Sequence, residues 1–192
     1  MGILILGLIV FLGVHSTRIV ADGWRSAQVE RLGVGRWKSI YSLVSLAGFV
    51  LIVWGFGLAR QQPVVIWTPP FAMRHVAALL MLIAFVLLAA AYVPRNSIKA
   101  RLHHPMVLAV KTWAFAHLLA NGRLADLLLF GAFLAWAVVC YIAEKKRDRA
   151  AGTQYPAGTA GATAATVVAG IVAWALFAFW LHGVLIGVRP FG

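Results

Sequence analysis

The sequence predicts an all-α fold: a polytopic integral membrane bundle of about six transmembrane helices, with no sizeable water-soluble domain. Three observations carry that prediction. Of the 192 residues, 62% are apolar and 11% charged, against about half and about a quarter in an ordinary soluble domain. The apolar residues are clustered, so that runs such as 76–92 and 124–143 carry almost no charge. Each run approaches the ~20 residues that a helix needs to cross ~30 Å of hydrocarbon. The basic residues fall between these runs, and a chain of this length forms one domain, 1–192.

Taken in order, the predicted spans are roughly 2–20, 39–58, 74–93, 105–120, 124–143 and 165–188. The first begins Met-Gly-Ile-Leu-Ile-Leu without a basic leader, so it reads as a spanning helix and not as a cleaved signal peptide. It turns polar at His15, Ser16 and Arg18. The second places Tyr41, Ser45, Gly48, Ile52 and Gly55 on one stripe, which predicts a close helix–helix contact. The fourth is the shortest and carries Lys111 and His117. Pro63, Pro69-Pro70, Pro94 and Pro105 punctuate the joints, and Asn121-Gly122 predicts a tight turn between spans four and five. The stretch 150–164 is rich in Ala, Gly and Thr and reads as a flexible linker into the last span. Trp24 and Trp37, among basic residues in the first loop, suit a segment lying at the membrane interface.

The loops predict orientation. The first holds Arg18, Arg25, Arg31, Arg36 and Lys38; the third holds Arg95, Lys99 and Arg101; the fifth holds Lys145, Lys146, Arg147 and Arg149. The second holds only Arg60 and Arg74, and the fourth only Arg123. Loops one, three and five are therefore expected on the cytoplasmic side, with both termini periplasmic in a bacterial inner membrane. The net charge of +12 then meets anionic lipid head groups and not nucleic acid.

Several chemistries lack material. Asp126 sits at a span edge and the other four acids are read as loop residues, so paired-carboxylate catalysis has no basis in the membrane. There is no P-loop, no zinc-type Cys/His spacing and no Cys-x-x-Cys-His, and the single Cys140 excludes an intramolecular disulfide. Histidine remains. His15 lies near the cytoplasmic end of span one, His103 and His104 open span four, His75 opens span three, and His182 lies late in span six. His117 lies ~20 Å beyond His104 by helical rise. An imidazole in hydrocarbon is costly unless bonded or ligated. Its ordinary role is a hydrogen bond to a backbone carbonyl; its functional role is ligation, and two histidines on different helices can hold a b-type haem. Lys111 either snorkels to the cytoplasmic face or meets an anionic group such as a haem propionate. Trp113 lies one turn before His117 and shares its face, offering a packing or stacking wall.

A series of motifs then carries a resemblance: Gly-Val-His15-Ser16-Thr-Arg18, then Arg36 and Tyr41, then Trp67-Thr-Pro69, and His103-His104-Pro105 followed by Trp113-Ala-Phe-Ala-His117-Leu-Leu-Ala-Asn121-Gly122. In this order they resemble the NnrU family of bacterial membrane proteins, related to the 15-cis-zeta-carotene isomerases. The resemblance is strongest over 1–145. It implies association with nitric oxide and nitrite metabolism in denitrifiers, alongside nitrogen-oxide respiratory proteins. From the isomerase relatives it implies a haem b held by histidine and cis/trans isomerisation of a hydrophobic polyene. Carried over by motif, the iron ligands match His15 and His117, and the His-Pro position matches His104. The isomerases carry a cysteine one turn before the second ligand; here that position is Ala114. Helical rise puts His15 ~7 Å and His117 ~20 Å from the cytoplasmic face, so His75 and His182, nearer in depth to His117, stay open as its partner. The His-His-Pro opening also resembles membrane methyltransferases that use S-adenosylmethionine, without their downstream acidic and Tyr/Pro-Arg elements. A non-enzymatic scaffold using the span-two stripe is the third reading.

Overall fold

A computed structural model of the chain describes residues 1–191. Eight helices and no strand are present among them: α1 Gly2–Val20, α2 Asp22–Leu32, α3 Val34–Gln61, α4 Ala72–Tyr92, α5 Ser97–Leu102, α6 Pro105–Ala120, α7 Leu124–Ala151 and α8 Ala160–Ile186. Five of them, α1, α3, α4, α7 and α8, are long and apolar enough to cross a bilayer. The sixth expected span, α6, is apolar but only 16 residues long, about 24 Å at 1.5 Å per residue.

Local chemistry sets the boundaries. Pro63 follows α3 and forces Gln62 out of the helical region (φ −126°). Pro94 does the same to Val93, which is extended (φ −69°, ψ 120°) and closes α4. Pro105 occupies the first turn of α6, where its missing N–H costs nothing. Gly33 takes φ +78° to turn the chain from α2 into α3. The segment expected to be a flexible linker is shorter than the sequence suggested. The first spanning helix past residue 124 continues to Ala151, and α8 already begins at Ala160. Thr159 caps α8 by accepting from Ala162 N–H at 3.2 Å, and the alanines that follow are the strongest helix formers. Inside α8, a π-helical turn at Phe177–Leu181 interrupts the regular hydrogen-bond ladder just before His182.

The chain divides into two compact units, Met1–Thr68 with Gly122–Cys140, and Pro69–Asn121 with the chain from Tyr141 onward. In the first unit α1 and α3 pack antiparallel with their backbones nearly touching. A methyl group built on Gly48 would stand 2.8 Å from Phe11 N, and one on Gly7 would stand 2.6 Å from Ile52 N; one on Gly55 would collide with Leu4 N. The stripe of small residues on span two is therefore a helix–helix contact. Between these helices lies α2, which buries no residue; Trp24 meets Trp37 edge-on at 5.9 Å between ring centres.

In the second unit α4 packs against both α6 and α8. Gly170 of α8 admits the backbone of Val86, where a methyl group would lie 2.6 Å from its Cα. Asn96 locks the joint after α4. It is 1% exposed, donates through Nδ2 to Ala90 O (3.0 Å) and Val93 O (2.6 Å), and accepts from Lys99 N–H (2.7 Å). Asn96→Ala should cost about 1–3 kcal/mol, the usual penalty for leaving buried backbone groups unmet. Thermal unfolding in detergent is the measurement, and an unchanged midpoint would show that the joint carries no load.

Small residues such as Ala84, Ala90, Ala114, Ala116 and Ala137 fill the buried positions, while Leu43, Phe49, Trp54, Leu79, Phe179 and Trp180 are each more than half exposed. Such an outside suits hydrocarbon and not water.

Candidate functional site

Two apolar helices, α1 and α6, present a histidine in the same local geometry. His15, in the penultimate turn of α1, donates from Nδ1 to Phe11 O at 2.7 Å. A carbonyl only accepts, so Nδ1 holds the proton and Nε2 is the lone-pair nitrogen of the neutral ring. Three aromatic rings surround it within the first unit. Phe11 stacks at 4.2 Å, Tyr41 of α3 stands tilted at 5.3 Å, and Trp136 of α7 meets it edge-on at 6.1 Å. The neighbouring Ser16 is occupied by its own helix, donating to Leu12 O at 2.7 Å. An open apolar groove of about 440 Å³ runs beside this site between α1 and α7, lined in part by Leu12, Gly13, Ser16, Ala132 and Trp136. The Trp136 indole N–H is buried and has no acceptor among the described residues.

His117, near the end of α6 in the second unit, repeats the arrangement. Its Nδ1 donates to Trp113 O at 2.9 Å, and the Trp113 ring lies beside it at 5.4 Å. Asn121 Nδ2 closes the helix on His117 O at 2.8 Å. The shared face of Trp113 and His117 is as the spacing predicted. Ala114, at the position where the isomerases carry cysteine, is fully buried.

The other candidates are placed differently. Lys111 is exposed on α6. Six residues at 100° each put it about 120° round the helix from His117, so the two do not share a face. His182 follows the π-helical turn, donates from Nδ1 to Val188 O at 2.6 Å and meets Phe177 edge-on. π-Helical turns often occur at functional positions. His75 is exposed and sits edge-on to Phe71 at 5.4 Å.

His104 belongs to a separate polar cluster at the charged end of the second unit. Its Nε2 is 2.8 Å from Asp148 Oδ2 and its Nδ1 is 3.9 Å from Glu144. Tyr155 donates its hydroxyl to the same Asp148 oxygen at 2.9 Å. Burial, reinforced by that carboxylate, pushes the Tyr155 phenol up to about 12. Glu144, Asp148 and Tyr155 were not among the candidates read from the sequence. The two acids were expected in a loop, but the length of α7 places them on its last turns. Among the described residues, no group of three or more His, Cys, Asp or Glu side chains is arranged to hold a bare metal ion.

The helices and their apolar outside define the class: a polytopic integral membrane protein, all-helical among its described residues. The family model for NnrU protein matches residues 3–190, and the chain belongs to the NnrU family. No curated protein matches the chain, and no solved structure does.

Proposed function

We propose that this NnrU-family protein binds haem b within the membrane through histidine, with His15 of the first unit and His117 of the second as the candidate ligands, and serves nitrogen-oxide metabolism as an accessory factor of the bacterial inner membrane. One observation carries the reading. Two histidines on apolar helices, α1 and α6, each pin the Nδ1 proton to a carbonyl one turn back, which fixes the ring and assigns the lone pair to Nε2. That backbone bond is the usual orienting contact behind a metal-bound imidazole, because it sets the tautomer and raises the ligand's basicity. The aromatic rings at His15 and the Trp113 ring at His117 supply flat apolar surface for a macrocycle. A bound haem would supply an iron centre able to take a diatomic such as nitric oxide in place of one histidine. The protein's own part is to orient the imidazoles and exclude water.

The isomerase alternative is the weaker one, since Ala114 offers no thiol where the isomerases use one. The basic loops one, three and five favour a cytoplasmic placement and periplasmic termini. The test is the absorption spectrum of the full chain purified in detergent after haem-replete expression. A Soret band at about one haem per chain is expected, together with a shift when nitric oxide is added to the reduced protein. A colourless protein with no Soret band after reconstitution would refute the proposal.

A further inference from the structure

At the charged end of the second unit, one carboxylate oxygen gathers side chains from three parts of the chain. Asp148 Oδ2 on α7 receives His104 at 2.8 Å and the Tyr155 hydroxyl at 2.9 Å, and lies 3.6 Å from His103 Nδ1. The Tyr155 ring stacks flat on the His103 ring, with centres 4.2 Å apart and planes at 16°.

His103 Nδ1 has a second neighbour, Lys145 Nζ, at 3.5 Å. An ammonium group can only donate and a carboxylate can only accept. Contact with Lys145 therefore needs a lone pair on Nδ1, while contact with Asp148 needs a proton there. The two pairings exclude each other: a protonated His103 can face only Asp148, whereas the neutral ring can carry its proton on Nε2 and accept from Lys145 at Nδ1. The remaining charged neighbours have partners of their own. Glu144 beside His104 is held by Arg147, the Lys99 amine donates to Ala91 O at 3.0 Å, and Tyr141 donates to Leu102 O at 3.4 Å. Arg101 is exposed.

The backbone under this cluster is strained. His103 has φ +71° and ψ −58°, and His104 N–H bonds back to Leu102 O at 3.0 Å. This is a γ-turn, a conformation that is strained for a residue with a Cβ and persists only where its surroundings hold it. Here it fixes the entry into α6, with His104 as N-cap and Pro105 next.

We infer that His103, His104, Asp148 and Tyr155 form a proton-operated latch that ties the segment between α7 and α8 to the α5–α6 joint. With His103 protonated, both imidazoles donate to Asp148, Lys145 is repelled, and Tyr155 is clamped. With His103 neutral, Lys145 captures Nδ1, Asp148 loses one partner, and the segment carrying Tyr155 loosens. Histidine is the side chain suited to this because its charge changes between about pH 5 and 8.

The test uses the full chain in nanodiscs, with Cys140→Ala, Met106→Cys and Gln154→Cys, and pulsed electron–electron distance measurements between spin labels at the two new cysteines. A narrow distance distribution is expected at about pH 5.5, and loss of that narrow peak at about pH 8. His103→Gly keeps the positive φ and removes the imidazole, so it should abolish the pH response. Lys145→Met removes the competing donor and should keep the distribution narrow at both pH values. A wild-type distribution identical at the two pH values would overturn the latch, as would a full response in His103→Gly or wild-type broadening in Lys145→Met.

Discussion

Gly55→Val is expected to open the first unit, while Gly57→Val, two residues further along α3, leaves it intact. A side chain at Gly55 would occupy the space of the Ile3–Leu4 backbone on α1, whereas one at Gly57 would meet nothing within 4 Å. The cost at Gly55 has no cheap relief. The colliding atoms are main chain, which cannot rotate away, and the contact repeats along one antiparallel register that sets Gly48 on Phe11, Ile52 on Gly7 and Gly55 on Leu4. Forcing one point apart loosens the others, so the loss should reach or exceed the roughly 1–3 kcal/mol typical of overpacking. Between helices in lipid, little besides such close packing favours association. Cys140 reports the event, since it is buried in this unit and reacts with a thiol dye only on opening. Heating in detergent should give dye uptake at a markedly lower temperature for Gly55→Val than for the wild type, with Gly57→Val close to wild type. Equal midpoints for the two variants would mean that the register does not hold the unit together.

Much of that contact is visible in the sequence, because Gly48, Ile52 and Gly55 recur at helical spacing inside a charge-free run. The same physics made the spans legible: an uncharged run of about twenty residues has few alternatives to a membrane helix, and prolines mark where α3 and α4 end and α6 begins. Other features depend on contacts between distant residues. His104 and Asp148 are 44 positions apart, and nothing local announces that the end of α7 folds its acids over the His-His-Pro joint. The γ-turn at His103 falls at a residue type with no preference for it, so only the surrounding contacts select it. The π-helical turn at Phe177–Leu181 leaves the hydropathy of span six unchanged. At 150–164, composition suggested flexibility because Gly and Thr were weighed together with Ala. The Thr159 cap and the alanines after it decide for helix.

His117→Ala is expected to abolish haem binding, with the Soret band lost from purified protein and the helical content of the haem-free chain retained. The Nδ1 bond of the ring is made inside its own helix and alanine is the stronger helix former, so α6 keeps its helical form. A purely structural histidine would instead leave any haem in place when replaced. His15→Ala separates the possible partners. If His15 is the second ligand, haem is retained more weakly and the spectrum changes from six-coordinate low-spin to five-coordinate high-spin. If that change appears in His182→Ala instead, both ligands belong to the second unit, and the π-helical turn before His182 becomes the element that sets its register. His75→Ala, at an exposed position on α4, serves as the control. Full haem occupancy in His117→Ala would remove the ligand on which the proposed function rests, while the NnrU assignment and the membrane fold would be unaffected, since neither was derived from it.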